Sequence, residues 1–369
     1  MNILHISPRL RPGGVNQLAA DLACGLQQAG YRNTVISPPN ELVGRMTAAS
    51  VQHHSSRNIA VFTFLNELKR VRKLIDSTRT DIIITYTTPA TFLAWKACRN
   101  LPEEKRPRII GIHTTYPKHP GWGATLEMCD ALVTISRHLR NELTRRTREC
   151  EAPEMWVVPY GVNEVLCHPG YRPSEAWLEK WIRDHKEQDG TLSICVPGAI
   201  TPLHGLEDLA PILGRLNAAN IPAQVYIAGD TARAEQRYLH QLQRHFEKAG
   251  VSKQITWLGL RHDLRDIICI CDVVLSMARM PAGHDRVVLE ALSLGRPVAA
   301  YDHGAVGEML DAFLPEGRVA PGDIAGIADR LEQWHAYRPH MQESLPYPYR
   351  LGDTIRAIAE LCLSLSQGR

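Results

Sequence analysis

The sequence predicts an α/β protein built from two Rossmann-like domains that face one another across a central cleft. Three observations predict it. Short apolar runs alternate with segments of helical periodicity twice over, once between residues 3 and 160 and again from residue 191. Strands separated by helices imply parallel sheets. A Pro-rich, irregular join, 159–173, separates the two series. The length, 369 residues, suffices for two cores.

Taken in order, "ILHIS" (3–7) is a short apolar strand, followed by the Pro/Gly loop "PRLRPGG". In "VNQLAADLACGLQQAG" the leucines at 18, 22 and 26 repeat at helical spacing, and Gly30 ends the helix. "NTVIS" is the next strand, which completes a βαβ unit. "IAVFTF" (59–64) reads as a strand and "LNELKRVRKLIDST" as a helix. "TDIIITYT" is a buried strand, "TPATFLAWKACRN" a helix, and "RIIGIHTT" a strand. "ALVTIS" is a strand before the basic helix "RHLRNELTRRT", and "MWVVPYGV" closes the first series. The second series runs "LSICVPGAI", helix 205–219, "AQVYIAGD", helix 233–249, "QITWLGL", helix 262–269, "CDVVLSMA", helix 286–295, "RPVAAYD" and helix 304–311. The closing "YRLGDTIRAIAELCLSL" is helical. The domains are therefore expected at 1–165 and 166–349, with 350–369 returning to the first.

Composition narrows the class. Hydrophobic residues are 44% and charged residues 22% of the chain, ordinary for a globular protein. No apolar run approaches the roughly 20 residues of a membrane span, and "MNILHISPRL" lacks the pattern of a signal peptide. Nine cysteines are scattered without a CxxC pair or zinc spacing, which fits a reducing cytoplasm. Cys269 and Cys271 read as core residues. Residues 1–160 carry 21 Lys and Arg against 13 Asp and Glu, whereas the remainder is acidic. A basic half suits an anionic surface or substrate. The bases lack interleaved aromatics or a recognised module, which argues against nucleic acid.

Ligands of open α/β sheets bind beyond the carboxyl ends of the strands, so residues there are the ones to weigh. Gly13 and Gly14 permit close backbone approach and open a helix whose amides form an anion site; a tight turn without a ligand is the plain alternative. The loop is not the GxGxxG dinucleotide fingerprint. His113 ends the strand "RIIGIH", where a satisfied structural histidine is the competing reading. Gly198 and His204 lie in "PGAITPLHGLEDL", and Leu260 and Arg261 follow "ITWL". Arg279, His284, Asp285, Arg286, Val287 and Glu290 belong to "ARMPAGHDRVVLEALSLGRPVAAYDHGAVGE" (278–308). There Glu290 stands one turn into a helix. A carboxylate at that place grips a ribose diol or serves local structure.

Together these pieces resemble the retaining GT-B glycosyltransferases of family 4, which use nucleotide-diphosphate sugars. The glycine loop, the histidine after "IIGI", "VVPYGV", "PGAITPLHGLEDL", "YIAGD", "ITWLGL" and "RVVLEALSLGRPVAAYDHGAVGE" occur in the family's order and spacing, over almost the whole chain. The resemblance implies a cytoplasmic enzyme that needs no metal or cofactor. It implies diphosphate contact at Gly13 and Gly14, a sugar-side role for His113, a ribose contact at Glu290, backbone near the base at Leu260, and a closing helix that packs on the first domain.

Departures are equally specific. The family's first glutamate falls on Ala282, and its Phe-Gly pair on His284 and Asp285. Its diphosphate-gripping arginine and lysine fall on Ala199 and His204. Desolvated charged hydrogen bonds contribute roughly 1.5–3 kcal/mol each, so both losses need substitutes. Expected substitutes are a cationic His204, Arg261, Arg279 and Arg286 at the phosphates, and Asp285 at the sugar hydroxyls.

The expected partners are a nucleotide-sugar donor and a cell-envelope glycan or glycolipid acceptor such as lipopolysaccharide. The basic stretches 69–73 and 137–148 suit peripheral contact with anionic lipid on the inner face of the cytoplasmic membrane, or a solvated helix face. A catalytically silent relative is the alternative. A sugar-nucleotide epimerase on the same fold fits the motif order less well.

Overall fold

A computed structural model divides the chain into two compact units, Met1–Gly161 with Tyr347–Arg369, and Val162–Pro346. It describes residues 1–7, 14–39, 41–57, 63–116, 126–146, 154–185, 190–231, 235–339, 341 and 349–367. The joins differ by three or four residues from the expected 165/166 and 349/350. Gly161 stays with the first unit because its amide donates to Thr354 Oγ1 of the closing helix at 2.9 Å.

The first unit runs β1 (Asn2–Ile6), α1 (Gly14–Gln28), β2 (Arg32–Ser37), α2 (Leu42–Ala48), β3 (Gln52–Ser55), α3 (Phe64–Thr78), β4 (Ile82–Thr85) and α4 (Thr88–Cys98). It continues with β5 (Arg108–His113), β6 (Ala131–Thr134), α5 (Arg137–Arg146) and β7 (Met155–Val157), and ends with α13 (Leu351–Gln367). The strands form one parallel sheet in the order β3-β2-β1-β4-β5-β6-β7. The order reverses beside β1, which opens a ligand crevice at the carboxyl ends.

Strand alternation separates two cores. Ile82 and Ile84 enter one with Leu18, Leu22 and Leu26 of α1, Leu139 and Leu143 of α5, and Ile358 and Leu361 of α13. Ile83 enters the other with Leu68 and Val71 of α3 and Leu93 of α4. The two sets therefore lie on opposite faces of the sheet. The closing helix packs on this unit, as the resemblance implies.

Of "IAVFTF", residues 59–62 lie outside the described set; Thr63 takes the N-cap position of α3 and Phe64 begins the helix, so the expected strand does not extend to 63 and 64. The edge strand beside β2 is "QHHS", Gln52–Ser55, which the apolar pattern does not predict. It is a largely exposed edge strand, so no apolar run announces it.

His5 is a buried residue that the periodicity does not single out. Its Nδ1 lies 2.7 Å from Tyr86 Oη and its Nε2 2.9 Å from Asn33 Oδ1. Burial lowers its pKa to about 4. The unfolded chain, with an ordinary histidine, then binds a proton that the folded chain refuses. Stability present above about pH 6.5 is lost as pH falls toward about 4, on the order of 3 kcal/mol for this one group. Urea titrations between pH 7 and 4 check it: His5→Gln gives a shallower loss, and an unchanged slope would contradict the assignment.

The second unit runs α6 (Glu175–Asp184), β8 (Leu192–Pro197), α7 (Leu209–Ala218), β9 (Ala223–Ala228), α8 (Gln236–Lys248), β10 (Ile255–Trp257) and α9 (Leu264–Ile270). It continues with β11 (Val273–Ser276), α10 (Arg286–Ser293), β12 (Val298–Tyr301), α11 (Gly304–Phe313), β13 (Arg318–Val319) and α12 (Ile324–Ala336). Its parallel sheet has the order β10-β9-β8-β11-β12-β13. α6, β13 and α12 have no counterpart among the elements expected from the sequence. Ser174 Oγ caps α6 by accepting from the Trp177 amide, so the irregular join ends in a helix. Cys269 and Cys271 are buried in the core, as expected.

Candidate functional site

His113 is the last residue of β5, paired in register with Thr134. It is 5% exposed, and burial lowers its pKa to about 4. The imidazole is therefore neutral at pH 7. It can exchange hydrogen bonds but does not supply fixed positive charge. The spacing G-I-H explains its seat. Residues 111 and 113 share one face of the strand, and a Cβ on Gly111 would stand 3.3 Å from His113 Nε2 and 2.7 Å from Cys129 Sγ. Only glycine leaves room there. Gly14 opens α1; Gly13 lies outside the described residues.

In the second unit the expected donor residues stand at the carboxyl edge of the sheet, after β8, β10 and β11. The loop after β8 rests on the turn after β9: Gly198 donates to Ala228 O at 3.1 Å and Ile200 to Asp230 O at 3.0 Å. Gly198 has φ +130°, and a Cβ there would stand 3.2 Å from the ring of His204. His204 Nδ1 is 2.9 Å from Thr201 Oγ1. Burial lowers the His204 pKa, and the nearby Asp285 opposes that only in part. The expected cationic His204 is thus a neutral imidazole in its own surroundings.

Asp285 has a structural duty that the sequence does not announce: it caps α10, with Oδ1 accepting from the Val288 amide at 3.2 Å and Oδ2 from Ser276 Oγ at 3.3 Å. Burial pushes its carboxyl up, while these donors pull it back. Loss of a helix cap costs about 1 kcal/mol. Asp285→Ala should lower the urea midpoint of unfolding accordingly and Asp285→Asn much less; equal losses would show that charge, not capping, is what matters. His284 beside it is held neutral, with its pKa lowered to about 3 first by burial and then by Arg286.

None of the three arginines offered as substitutes stands away from acids. Arg261 makes two bonds to Asp263, at 2.8 and 2.6 Å, and Trp177 Nε1 also donates to that carboxylate. The Arg261 partnership holds Asp263 down at about 2. Arg279 reaches Asp208 at 3.2 Å and Glu207 at 3.4 Å, and Tyr301 Oη donates to Asp208 at 2.7 Å. Arg286 binds Glu290 at 2.6 Å across one helical turn. The acids were legible as types, Asp263 two residues after Arg261 and Glu207-Asp208 in "HGLEDL", but not as partners.

Four sub-clusters result. Gly198, His204, Asp285 and Ser276 form one, Arg286 with Glu290 a second, and Arg279 with Glu207, Asp208 and Tyr301 a third. Arg261 with Asp263 and Trp177 stands after β10 beside Leu260, which is 61% exposed. Val287 is half-buried in the first turn of α10. Ala282 keeps its place at the start of α11, because its carbonyl accepts from the Ala305 amide at 3.0 Å. The position expected from the resemblance to hold a glutamate thus carries a methyl group, with its carbonyl bound to the first turn of α11.

Comparison with known proteins supplies the family. Residues 12–165 match the model "Glycosyltransferase Family 4", and residues 191–336 match "Glycosyl transferases group 1". A 2-deoxystreptamine N-acetyl-D-glucosaminyltransferase of Streptomyces fradiae is 26% identical over 178 residues, 46% of this chain and 39% of that relative. The chain thus spans well under half the length of that relative. Among solved structures, HepE of Anabaena in complex with UDP and glucose superposes with a TM-score of 0.75 at 17% identity, over 100% of this chain and 98% of that one. The lipopolysaccharide outer core galactosyltransferase WaaB superposes with a TM-score of 0.70 at 14% identity, over 100% and 99%. Two successive family matches, laid on two parallel-sheet units and a returning closing helix, assign the chain: it is a family 4-type glycosyltransferase of the GT-B fold.

Proposed function

We propose that this chain transfers a sugar from a nucleotide-diphosphate donor to a cell-envelope glycan or glycolipid acceptor, with retention at the anomeric carbon. The observation that carries the reading is the start of α10. Glu290 sits one turn in, and Arg286 fixes its carboxylate at 2.6 Å. A carboxylate held at the carboxyl edge of a parallel sheet matches the two hydroxyl donors of a ribose. The likeness to HepE, whose structure holds UDP and glucose, supports a nucleotide-sugar donor. The S. fradiae relative and WaaB support acceptors that are themselves glycans or aminocyclitols.

Each group then has a task. Glu290 takes the ribose, and backbone beside Leu260 takes the base. Helix amides, rather than a metal ion, meet the charge of the leaving diphosphate. His113, neutral, hydrogen-bonds the transferred sugar. The leaving diphosphate accepts the acceptor's proton on the face it departs from, so the new bond keeps the old configuration. The product anomer by NMR tests this: the donor's configuration is expected, and an inverted product would overturn retention.

A second reading, binding without turnover, draws on one observation: Arg261, Arg279 and Arg286 are each ion-paired to a neighbouring acid. Thermal shift against uridine, guanosine, adenosine and thymidine diphosphate sugars tests the donor site. One base class should raise the melting temperature, as a ligand at 100 times its Kd adds about 2.7 kcal/mol. Binding without nucleoside diphosphate release would favour the second reading.

A further inference from the structure

We propose that the exposed face of α3 and α4 in the first unit is a docking surface for an anionic lipid bilayer. The two helices pack together, and their outward side is of two kinds. At the amino-terminal end stands an apolar and aromatic group. Leu65 is 69% exposed and Phe92 37%; Phe92 lies 5.5 Å from Phe64 and 6.0 Å from Trp95, centroid to centroid. Beyond it the side chains turn basic: Lys69, Arg70, Arg72 and Lys73 on α3, and Arg99 just after α4, are all exposed, with Lys96 half-buried. Arg72 is anchored on the Lys96 carbonyl at 3.3 Å, and Arg99 lies over the Trp95 ring at 5.3 Å. The acids of the two helices are Glu67, which is buried and lies 3.7 Å from Arg70, and Asp76, which is exposed at the far end; Lys69, Arg72, Lys73 and Arg99 are the bases that the docking face uses.

Spacing makes this one surface. Leu65, Lys69, Arg72 and Lys73 fall at i, i+4, i+7 and i+8, and Phe92, Lys96 and Arg99 at i, i+4 and i+7. Apolar side chains beside a basic field suit the boundary between acyl chains and headgroup phosphates: Leu65 and Phe92 enter it, and the bases meet the phosphates. A second copy of this chain fits the face poorly, because a symmetric contact would set like charges together. The helices run antiparallel to the strands, so the apolar end lies at the carboxyl edge of the sheet, the edge that ends at His113.

The other basic helix does not share this surface. Leu139 and Leu143 of α5 belong to the core on the opposite face of the sheet, and Arg145 is paired with Glu142 at 3.5 Å. A flat bilayer along α3 and α4 does not meet α5. Of the two stretches singled out in the sequence, 69–73 therefore carries the contact and 137–146 does not; Arg148 lies outside the described residues. The inference does not rest on the donor assignment.

Vesicle flotation of the whole chain tests it, with phosphatidylglycerol–phosphatidylcholine vesicles against phosphatidylcholine alone. Binding to the anionic vesicles should exceed binding to the neutral ones at least tenfold and fall with salt. Leu65→Ser, and Lys69→Glu with Lys73→Glu, should each lower it at least tenfold and leave the melting temperature and donor thermal shift unchanged, since all three side chains are exposed. Arg140→Glu with Arg145→Glu should leave it unchanged. Equal binding to neutral vesicles, no binding to anionic ones, or retention by the α3 variants would overturn the proposal. So would self-association of the wild type that the same variants abolish, which would mark the face as a protein interface.

Discussion

Glu290→Ala should weaken nucleotide-sugar binding by about two orders of magnitude. The carboxylate is proposed to accept two ribose hydroxyls, and hydrogen bonds to charged groups are worth roughly 1.5–3 kcal/mol each. The loss has a second part. Arg286 lies within 2.6 Å of Glu290 and depends on it for charge balance, so the alanine variant leaves a half-buried guanidinium facing the same site. Glu290→Gln keeps the shape and one acceptor oxygen and should lose less. Calorimetric titration with the best donor of the panel checks both. Because the two side chains are only 25% and 16% exposed, the alanine variant should also lower the melting temperature by a few degrees and Glu290→Gln by less. A donor affinity that survives Glu290→Ala would move the ribose contact elsewhere.

Gly229→Ala should cost the second unit about 2–3 kcal/mol, with a fall of roughly 5–10 °C in its melting temperature. A Cβ at 229 would stand 1.7 Å from the carbonyl oxygen of Gly198 and 2.6 Å from its carbonyl carbon. These are backbone atoms, so no rotamer change relieves the overlap. The loop after β8 must lift off the turn after β9, breaking the bonds from Gly198 to Ala228 O and from Ile200 to Asp230 O. His204, whose ring would stand 3.2 Å from a Cβ on Gly198, moves with it. Calorimetric melting is the check, and a transition within a degree of the wild type would mean that the loop is not seated as described. Donor affinity should fall in the same variant if His204 and its loop border the diphosphate.

The fold was legible because most strands of parallel sheets are buried on both faces and read as continuous apolar runs: "IIIT", "RIIGIH" and "ALVT" are buried along nearly their whole length. What escaped was the edge. "QHHS" is a strand through hydrogen bonds to β2 alone, and nothing in its hydropathy says so. The short α6, by contrast, carries its own signal inside the irregular join: a capping serine, and Trp177, Leu178, Trp181 and Ile182 at helical spacing.

The candidate site was legible as positions, not as partnerships. The order of motifs puts Gly198, Arg261, Arg279 and Glu290 after the ends of β8, β10 and β11, where the structure has them. It could not say that Asp285 would be consumed as a helix cap, that burial would hold His204 and His284 neutral, or that Arg261, Arg279 and Arg286 would each settle on an acid. Those outcomes depend on distances between loops from different parts of the chain, such as Arg279 to Asp208, 71 residues apart. They matter for function, since a diphosphate arriving at this edge competes with carboxylates already bound to the arginines.

Whether that competition is won is best read from turnover. Nucleoside diphosphate release, measured with each donor of the panel against a lipopolysaccharide or glycolipid extract, should appear for one base class. It should fall by at least a hundredfold in Glu290→Ala. A folded chain that neither binds nor cleaves any donor, or that releases nucleotide equally well without Glu290, would contradict the account.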